Sequence, residues 1–284
     1  LHYLRFQYAE ISWPNTYTWS SISQGAYIEP LRLPELYRLR DELIKLKPNL
    51  VVALGGTAFW ALCGASGITK ARGTVRLSTL IPNLKVLPAY HPAYVTRMWD
   101  ARLTLVADLA KAKLEKEFPD IRLPKREIWI NPQITDIETF TNLYIKDCKI
   151  LAFDTETARK QITCISFAPS KDLAIVIPFV DKSRPDYRYW STAEREVKAW
   201  KLVRDILDLP MPKLAQNGLY DLQYLWKCHG IPVRNFFEDT MLLHHALYLE
   251  LPKDLGFLGS IYTSEASWKL MRHREKDEIE KKDD

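Results

Sequence analysis

Short runs of apolar residues, each bounded by turn or helix signals, are the feature that most restricts the fold of this chain. Five such runs occur, at residues 49–54, 85–88, 149–154, 161–167 and 173–178. Runs this short and this apolar are typical of strands buried inside a sheet. Segments with leucines at helical spacing alternate with them, as over residues 35–47, where Pro48 ends the helix. The order of these elements predicts an α/β protein.

The chain has 284 residues, which suits two domains of ordinary size. Residues 119–132 contain three prolines and charges of both signs, a composition typical of an interdomain linker. We therefore expect a first domain over residues 1–120, a linker over 121–133 and a second domain over 134–284.

Charge is distributed unevenly between the two halves. Residues 1–125 hold 17 Lys/Arg and 10 Asp/Glu, a balance of +7, and the remainder holds 23 and 25, a balance of −2. This favours polyanion binding by the first half and a metal site in the second. No apolar stretch is long enough to span a membrane. The four cysteines form no CxxC pair, which suits a reducing, cytoplasmic compartment.

The sharpest chemical signal is the pair Asp154 and Glu156 at the end of an apolar run. Side chains two apart on a strand share a face, which places these carboxylates together, roughly 7 Å apart along the backbone. A divalent cation such as Mg²⁺ or Mn²⁺ would resolve their repulsion. The alternative is a strand end that only faces solvent.

A second acidic motif follows about sixty residues later. Asn217 and Asp221 are separated by four positions, and we expect Asn217 to cap a helix with Asp221 a turn inside it, directed towards the strand ends. Asp239 precedes an apolar helix and is expected to cap that helix rather than to bind metal.

Over residues 150–272 this order of motifs resembles the proofreading 3′–5′ exonuclease domain of family A DNA polymerases, in the DEDD superfamily. The resemblance implies a ribonuclease H-like sheet and a site for two Mg²⁺ or Mn²⁺ ions. Asp154, Glu156 and Asp221 are then the catalytic metal ligands, with Glu156 also orienting the attacking water. Asn217 and Thr155 would contact the substrate.

The exonuclease family also has a third motif, a Tyr or His with an Asp four or five residues later. Here the tail offers only His273 followed by Asp277. Three other sources of the fourth carboxylate stay open: residues beyond Asp284, a partner chain, or loss of the motif.

The first half resembles the uracil-DNA glycosylase superfamily, in the branch of families 4 and 5. Residues 48–58, 67–73 and 87–93 carry the resemblance. It implies an α/β/α sandwich in which His91 donates to the anionic base that leaves a cleaved glycosidic bond. Arg97 would contact phosphate or the minor groove. The family's GEAPG-type loop is not found in residues 1–34, and the cysteines do not reproduce its iron–sulfur ligands.

Together these features predict a two-domain DNA-processing enzyme of the phage replication or repair type: a glycosylase-like DNA-binding module followed by a 3′–5′ exonuclease. Its partners would be a DNA 3′ end and a DNA polymerase on the same or another chain, in the host cytoplasm if the protein is viral. Two alternatives are a non-catalytic, polymerase-associated subunit and an active uracil-DNA glycosylase.

Overall fold

The computed structural model describes residues 33–122 and 124–263, and these form two compact units. The first unit consists of residues 33–122 together with 250–263, and the second consists of residues 124–249. The second unit therefore lies, along the chain, between the two segments of the first. No helix in the described ranges is long and apolar enough to cross a membrane.

The first unit is built on a three-stranded sheet. Its elements are α1 (Leu33–Leu46), β1 (Leu50–Leu54), α2 (Gly56–Cys63), α3 (Ile68–Ala71), β2 (Arg76–Leu77), β3 (Lys85–Ala89), α4 (Pro92–Val95), a 3₁₀ turn (Trp99–Ala101), α5 (Arg102–Glu115) and, after the second unit, α10 (Leu255–Tyr262). The strand order is β1-β3-β2, with β1 parallel and β2 antiparallel to β3. The helix expected over 35–47 and the strands expected over 49–54 and 85–88 are present.

Helices cover both faces of this sheet. On one face Ala53 and Val86 pack into a cluster with Phe59 and Trp60. On the other face the neighbouring strand residue Leu87 packs with Ala112 of α5. Because successive side chains of a strand point to opposite faces, one short sheet supports two cores, and the expected α/β/α sandwich is confirmed.

Buried charges attach α10 to the first unit. The Arg72 guanidinium pairs with the Asp108 carboxylate through two hydrogen bonds, of which the one from Nε is 2.8 Å long, and Arg72 Nη1 donates to Ser260 Oγ at 3.0 Å. Lys111 Nζ donates to the carbonyl oxygens of Gly73 and Ser260, each at 2.7 Å, and burial lowers the pKa of Lys111 to about 8. The structure thus differs from the expected second domain of 134–284, because residues 250–263 pack with the first unit.

The second unit is built on a six-stranded sheet. Its elements are β4 (Glu127–Trp129), α6 (Ile134–Phe140) continued by a π-helical turn (Thr141–Ile145), β5 (Leu151–Ala158), β6 (Gln161–Ser170), β7 (Leu173–Pro178), α7 (Ala193–Asp208), β8 (Lys213–Ala215), α8 (Leu219–His229), β9 (Phe236–Asp239) and α9 (Thr240–Leu247). The strand order is β4-β7-β6-β5-β8-β9, and only β6 runs against the others. This is the ribonuclease H-like sheet that the resemblance implies.

Part of the expected linker belongs to this sheet. Residues 127–129, inside the expected linker of 121–133, form β4 and pair with β7 from Leu173 to Ile175. The backbone N–H of Glu127 also donates to the carbonyl of Asp172 at 2.8 Å. The second unit therefore begins several residues before the predicted boundary.

The central strand β5 separates core from solvent. Phe153 and Thr155 are buried, whereas Asp154 and Glu156, which alternate with them, are exposed. Phe153 belongs to a core cluster that includes Phe167 of β6 and Val203 of α7. Burial of this one face holds the sheet and fixes which residues of β5 reach solvent.

We expect the substitution Asp108→Ala to lower the free energy of unfolding of the first unit by roughly 3–5 kcal/mol, because it leaves the buried Arg72 guanidinium without its carboxylate. Urea unfolding followed by circular dichroism measures this. The matched control is Glu42→Ala, which removes a carboxylate that pairs with Arg38 in an exposed position. Equal midpoints for the two variants would contradict the prediction.

Candidate functional site

In the first unit, two parallel strands end side by side at a glycine and a histidine. β1 leads into Gly55, whose φ is +86° and whose N–H donates to the carbonyl of Ala89 at 2.8 Å. A Cβ built on Gly55 would lie 3.2 Å from the Cβ of His91. Gly55 therefore permits both the turn and the close approach of His91.

His91 is exposed at the end of β3 and caps the short helix α4. Its Nδ1 accepts a hydrogen bond of 3.1 Å from the backbone N–H of Ala93. A neutral imidazole that accepts at Nδ1 carries its proton at Nε2. With Nδ1 accepting from the backbone, Nε2 is the ring nitrogen of His91 that can donate to a ligand. Arg97 follows α4 and is also exposed.

Two tyrosines lie next to this histidine. The rings of Tyr90 and Tyr94 have centroids 4.8 Å apart, and burial raises the pKa of Tyr90. Neither tyrosine was predicted as a site residue from the sequence, although two aromatic residues four apart on either side of the His-Pro pair are a visible signal. Tyr90 directly precedes His91 and Tyr94 follows it by three residues, so the ring contact lies in the segment that carries His91.

In the second unit, Asp154 and Glu156 lie on the exposed face of β5. Cys164 of β6 is opposite Glu156, and Ser166 is opposite Asp154. The pKa of the half-buried Cys164 thiol is raised first by burial and then by the negative charges of Glu156 and Asp154. Both carboxylates therefore act on the same small region, which is the shared face that the spacing predicts.

Asp221 lies in the first turn of α8 and is only 2% exposed. Its Oδ1 accepts hydrogen bonds from the Thr155 backbone N–H at 2.8 Å and from Thr155 Oγ1 at 2.5 Å. Burial raises the pKa of Asp221, the two Thr155 hydrogen bonds lower it, and the charge of Asp239 raises it further. Asp221 is thus directed towards β5, as expected, and its direct partner there is Thr155.

Asn217 is not the helix cap that the sequence suggests. It has a left-handed backbone with φ of +56°, and Gly218 takes the capping position of α8 without a side-chain hydrogen bond. The turn directs the N–H groups of Asn217 and Gly218 to the Asp239 carboxylate, at 3.0 and 2.8 Å. Asp239 also accepts from the Met241 N–H at 2.9 Å, so its expected role as cap of α9 is confirmed.

The carboxylates of the second unit fit a divalent cation in chemistry but are not all brought together. Asp154 and Glu156 supply exposed oxygen donors of the kind that Mg²⁺ and Mn²⁺ prefer. Asp221 lies against Thr155, whose side chain is on the opposite face of β5. In the parts of the chain that the structure describes, no group of three or more His, Cys, Asp or Glu side chains is placed to hold a metal ion. His273 and Asp277 lie outside the described residues.

Tyr220 adds a contact that the sequence analysis missed. Its hydroxyl is 2.5 Å from Thr157 Oγ1, directly after Glu156 along β5, and its ring centroid is 4.8 Å from that of Tyr224. Tyrosines four apart on the helix that carries Asp221 are the sequence signal for this pair. The aromatic pair therefore lies on the face of β5 that carries Thr155 and Thr157, opposite Asp154 and Glu156.

These features define the class: one unit with a glycosylase-like α/β/α sandwich and one with a ribonuclease H-like sheet. Residues 29–116 match the family model of the uracil DNA glycosylase superfamily, which confirms the resemblance of the first half. No curated protein matches the chain.

Solved structures similar to this chain include exonuclease domains. The EXD2 exonuclease domain soaked in Mg is 17% identical, with a TM-score of 0.33 over 42% of this chain and 58% of that chain. The catalytic core of RRP6 from Trypanosoma brucei is 13% identical, with a TM-score of 0.38 over 50% of this chain and 36% of that chain. The chain thus spans little more than half of the EXD2 chain and about a third of the RRP6 chain.

We expect Asp221→Asn to raise the melting temperature at neutral pH in chelator. Because burial raises the folded-state pKa of Asp221 above its unfolded value, the folded state holds its proton more tightly. Stability is therefore lost as the pH rises from the unfolded pKa through the folded one. Asn keeps an acceptor for Thr155 without the buried charge, so its advantage should shrink towards pH 4. Scanning calorimetry between pH 4 and 8 measures both effects.

The matched variant is Thr155→Val, which removes the Oγ1 donor while keeping the shape of the side chain. We expect it to lower the melting temperature at neutral pH, since it withdraws a hydrogen bond from a buried carboxylate. An Asp221→Asn variant that is less stable than the parent at neutral pH would show that the charge of Asp221 is not penalised in the folded state.

Proposed function

We propose that the second unit is a divalent-metal-dependent 3′–5′ exonuclease that removes nucleotides from the frayed 3′ end of DNA. The observation that carries the proposal is the exposed pair Asp154 and Glu156 on one face of the central strand of a ribonuclease H-like sheet. Asp221 follows the adjacent strand β8, which is the chain order of acidic motifs that the exonuclease resemblance requires.

Each residue has a distinct task in this proposal. Asp154 and Glu156 would hold the metal, and Glu156 would also orient the attacking water. Thr155 positions Asp221 through its N–H and Oγ1. Bound Mg²⁺ or Mn²⁺ would activate the water and stabilise charge on the scissile phosphate. The inclusion of Asp221 as a ligand, the second ion and the substrate contacts of Asn217 and Thr155 rest on the family resemblance.

The same resemblance supplies the setting of the proposal. A frayed 3′ end is the substrate of a proofreading enzyme, so the proposed partner is a DNA polymerase, on the same or another chain, in phage-type replication or repair. The basic first half, with its balance of +7 over residues 1–125, would hold the DNA through phosphate contacts. In the competing hypothesis the acidic site is incomplete, and the chain only binds DNA beside the polymerase.

We expect Asp154→Ala to reduce digestion of a 5′-labelled, 3′-recessed primer in Mg²⁺ or Mn²⁺ by at least about 100-fold, because it removes a group that positions charge at the scissile phosphate. Gel analysis should show a ladder of shortened primers for the parent and none in chelator. The matched control is Asp172→Ala, which removes a carboxylate from the β6–β7 turn. Intact primer with the parent chain, together with unchanged DNA binding, would support the non-catalytic hypothesis.

A second activity is favoured by the geometry of His91. Its Nδ1 accepts from the Ala93 N–H, so Nε2 is the ring nitrogen that can donate to a bound base. We infer that the first unit binds an extruded base here and excises uracil, with Arg97 on the flanking phosphate.

We expect His91→Ala to lower uracil release from a single-stranded oligonucleotide by about 100- to 1,000-fold, since it removes the donor to the leaving base. Alkaline cleavage at abasic sites measures the release. Because His91 is exposed, the melting temperature should stay close to that of the parent. A parent chain that leaves the uracil strand intact would limit the first unit to DNA binding.

A further inference from the structure

The turn between β5 and β6 is made of two residues that seldom adopt its backbone shape. Ala158 pairs with Gln161, so Arg159 and Lys160 alone form the turn. Both have positive φ angles, 49° and 64°. Positive φ at both central positions is the type I′ pattern, in which Asn-Gly is strongly preferred because longer L side chains are strained there. The turn therefore contains two long cationic side chains at positions where the backbone conformation favours Asn and Gly.

The charged groups of these two residues make no contact with the rest of the described chain that would offset their charge. Arg159 and Lys160 are both exposed. Neither side chain makes a hydrogen bond or an ion pair with another residue in the ranges 33–122 and 124–263. Backbone strain without a compensating internal contact is typical of positions that are retained for binding.

The turn lies close to the acidic pair Asp154 and Glu156 along the chain. Arg159 follows Glu156 by three residues, about 10 Å along the strand. At the far end of α8 the Cys228 thiol lies 3.8 Å from the carbonyl oxygen of Lys160, while Tyr220 at the near end contacts Thr157. α8 thus reaches from Thr157 to the cationic turn on the face of β5 that carries Thr155, and Asp154 and Glu156 lie on the other face.

We propose that the Arg159–Lys160 turn is a phosphate-binding site for the single strand whose 3′ end lies at Asp154 and Glu156. The inference rests on the proposed exonuclease function and deepens it. The two cations contact the phosphates of the nucleotides upstream of the 3′ end. Cations that contact the phosphate backbone bind single strands without reading their sequence. The site therefore sets affinity and the path of the strand, and the carboxylates set the chemistry.

The test is the double substitution Arg159→Asn with Lys160→Gly, which removes both charges and installs the preferred type I′ sequence. In chelator, the Kd for a short single-stranded oligonucleotide should rise about 10-fold. The slope of log K against log salt should fall by roughly 1.4, because two phosphate contacts are lost. The melting temperature should be equal to that of the parent or higher. A turn with a purely structural role would give unchanged binding.

The matched control is Lys171→Gln with Lys201→Gln, which removes the same charge from exposed positions elsewhere in the second unit. It should leave the Kd within about 2-fold of the parent. In Mg²⁺ the turn variant should show a raised KM and an unchanged kcat. Equal Kd and equal salt slope for parent and turn variant would overturn the phosphate site even if the parent digests DNA. A parent that binds the strand but does not digest it would overturn the proposed function alone, and a parent that does not bind it would overturn both.

Discussion

The alternation of side chains along β5 is the constraint on which the second unit depends. Phe153 and Thr155 on one face are buried, and Asp154 and Glu156 on the other reach solvent. A shift of one residue in strand register would exchange the two sets, placing carboxylates in the core and an aromatic ring in water. Hydrophobic burial therefore fixes not only the sheet but also the positions of the acidic pair. The pairing of β5 with β6 shifts between Glu156 and Thr157, so the regular register ends where the acidic pair does.

Burial of the Asp221 carboxylate, by contrast, lowers the stability of the folded state, because it disfavours the charged form of this candidate site residue. Its carboxylate is held by two hydrogen bonds from Thr155, yet desolvation still disfavours its charged form. Burial that disfavours a charge, as here, is one of the marks of a candidate functional carboxylate. The network formed by Asn217, Gly218 and Asp239 holds the start of α8, so the position of Asp221 is set by backbone N–H groups rather than by the asparagine side chain.

The elements predicted correctly from the sequence are those in which a buried strand is also a short apolar run. The strands β1, β3, β5, β6 and β7 were predicted because each is a short apolar run, and the acidic pair followed from strand periodicity. β4 was missed because it has only three residues, amid prolines and charges, and is held by pairing with β7. β9 was missed because it has only four residues and ends in Glu238 and Asp239, and Asp239 was predicted only as the cap of the following helix. Asn217 was misassigned because a left-handed residue next to glycine leaves no periodic pattern.

The boundary after the second unit could not be predicted because it depends on partners far apart in sequence. Ser260 accepts a hydrogen bond from Arg72, 188 residues earlier, and its carbonyl is one of the oxygens that bind the Lys111 ammonium. This arrangement has a consequence for synthesis on the ribosome. The first unit is started first but completed last, because α10 is made only after all of residues 124–249. Until then the Arg72–Asp108 pair and Lys111 lack the segment that covers them, so the second unit can fold during translation while the first is still waiting for its final helix.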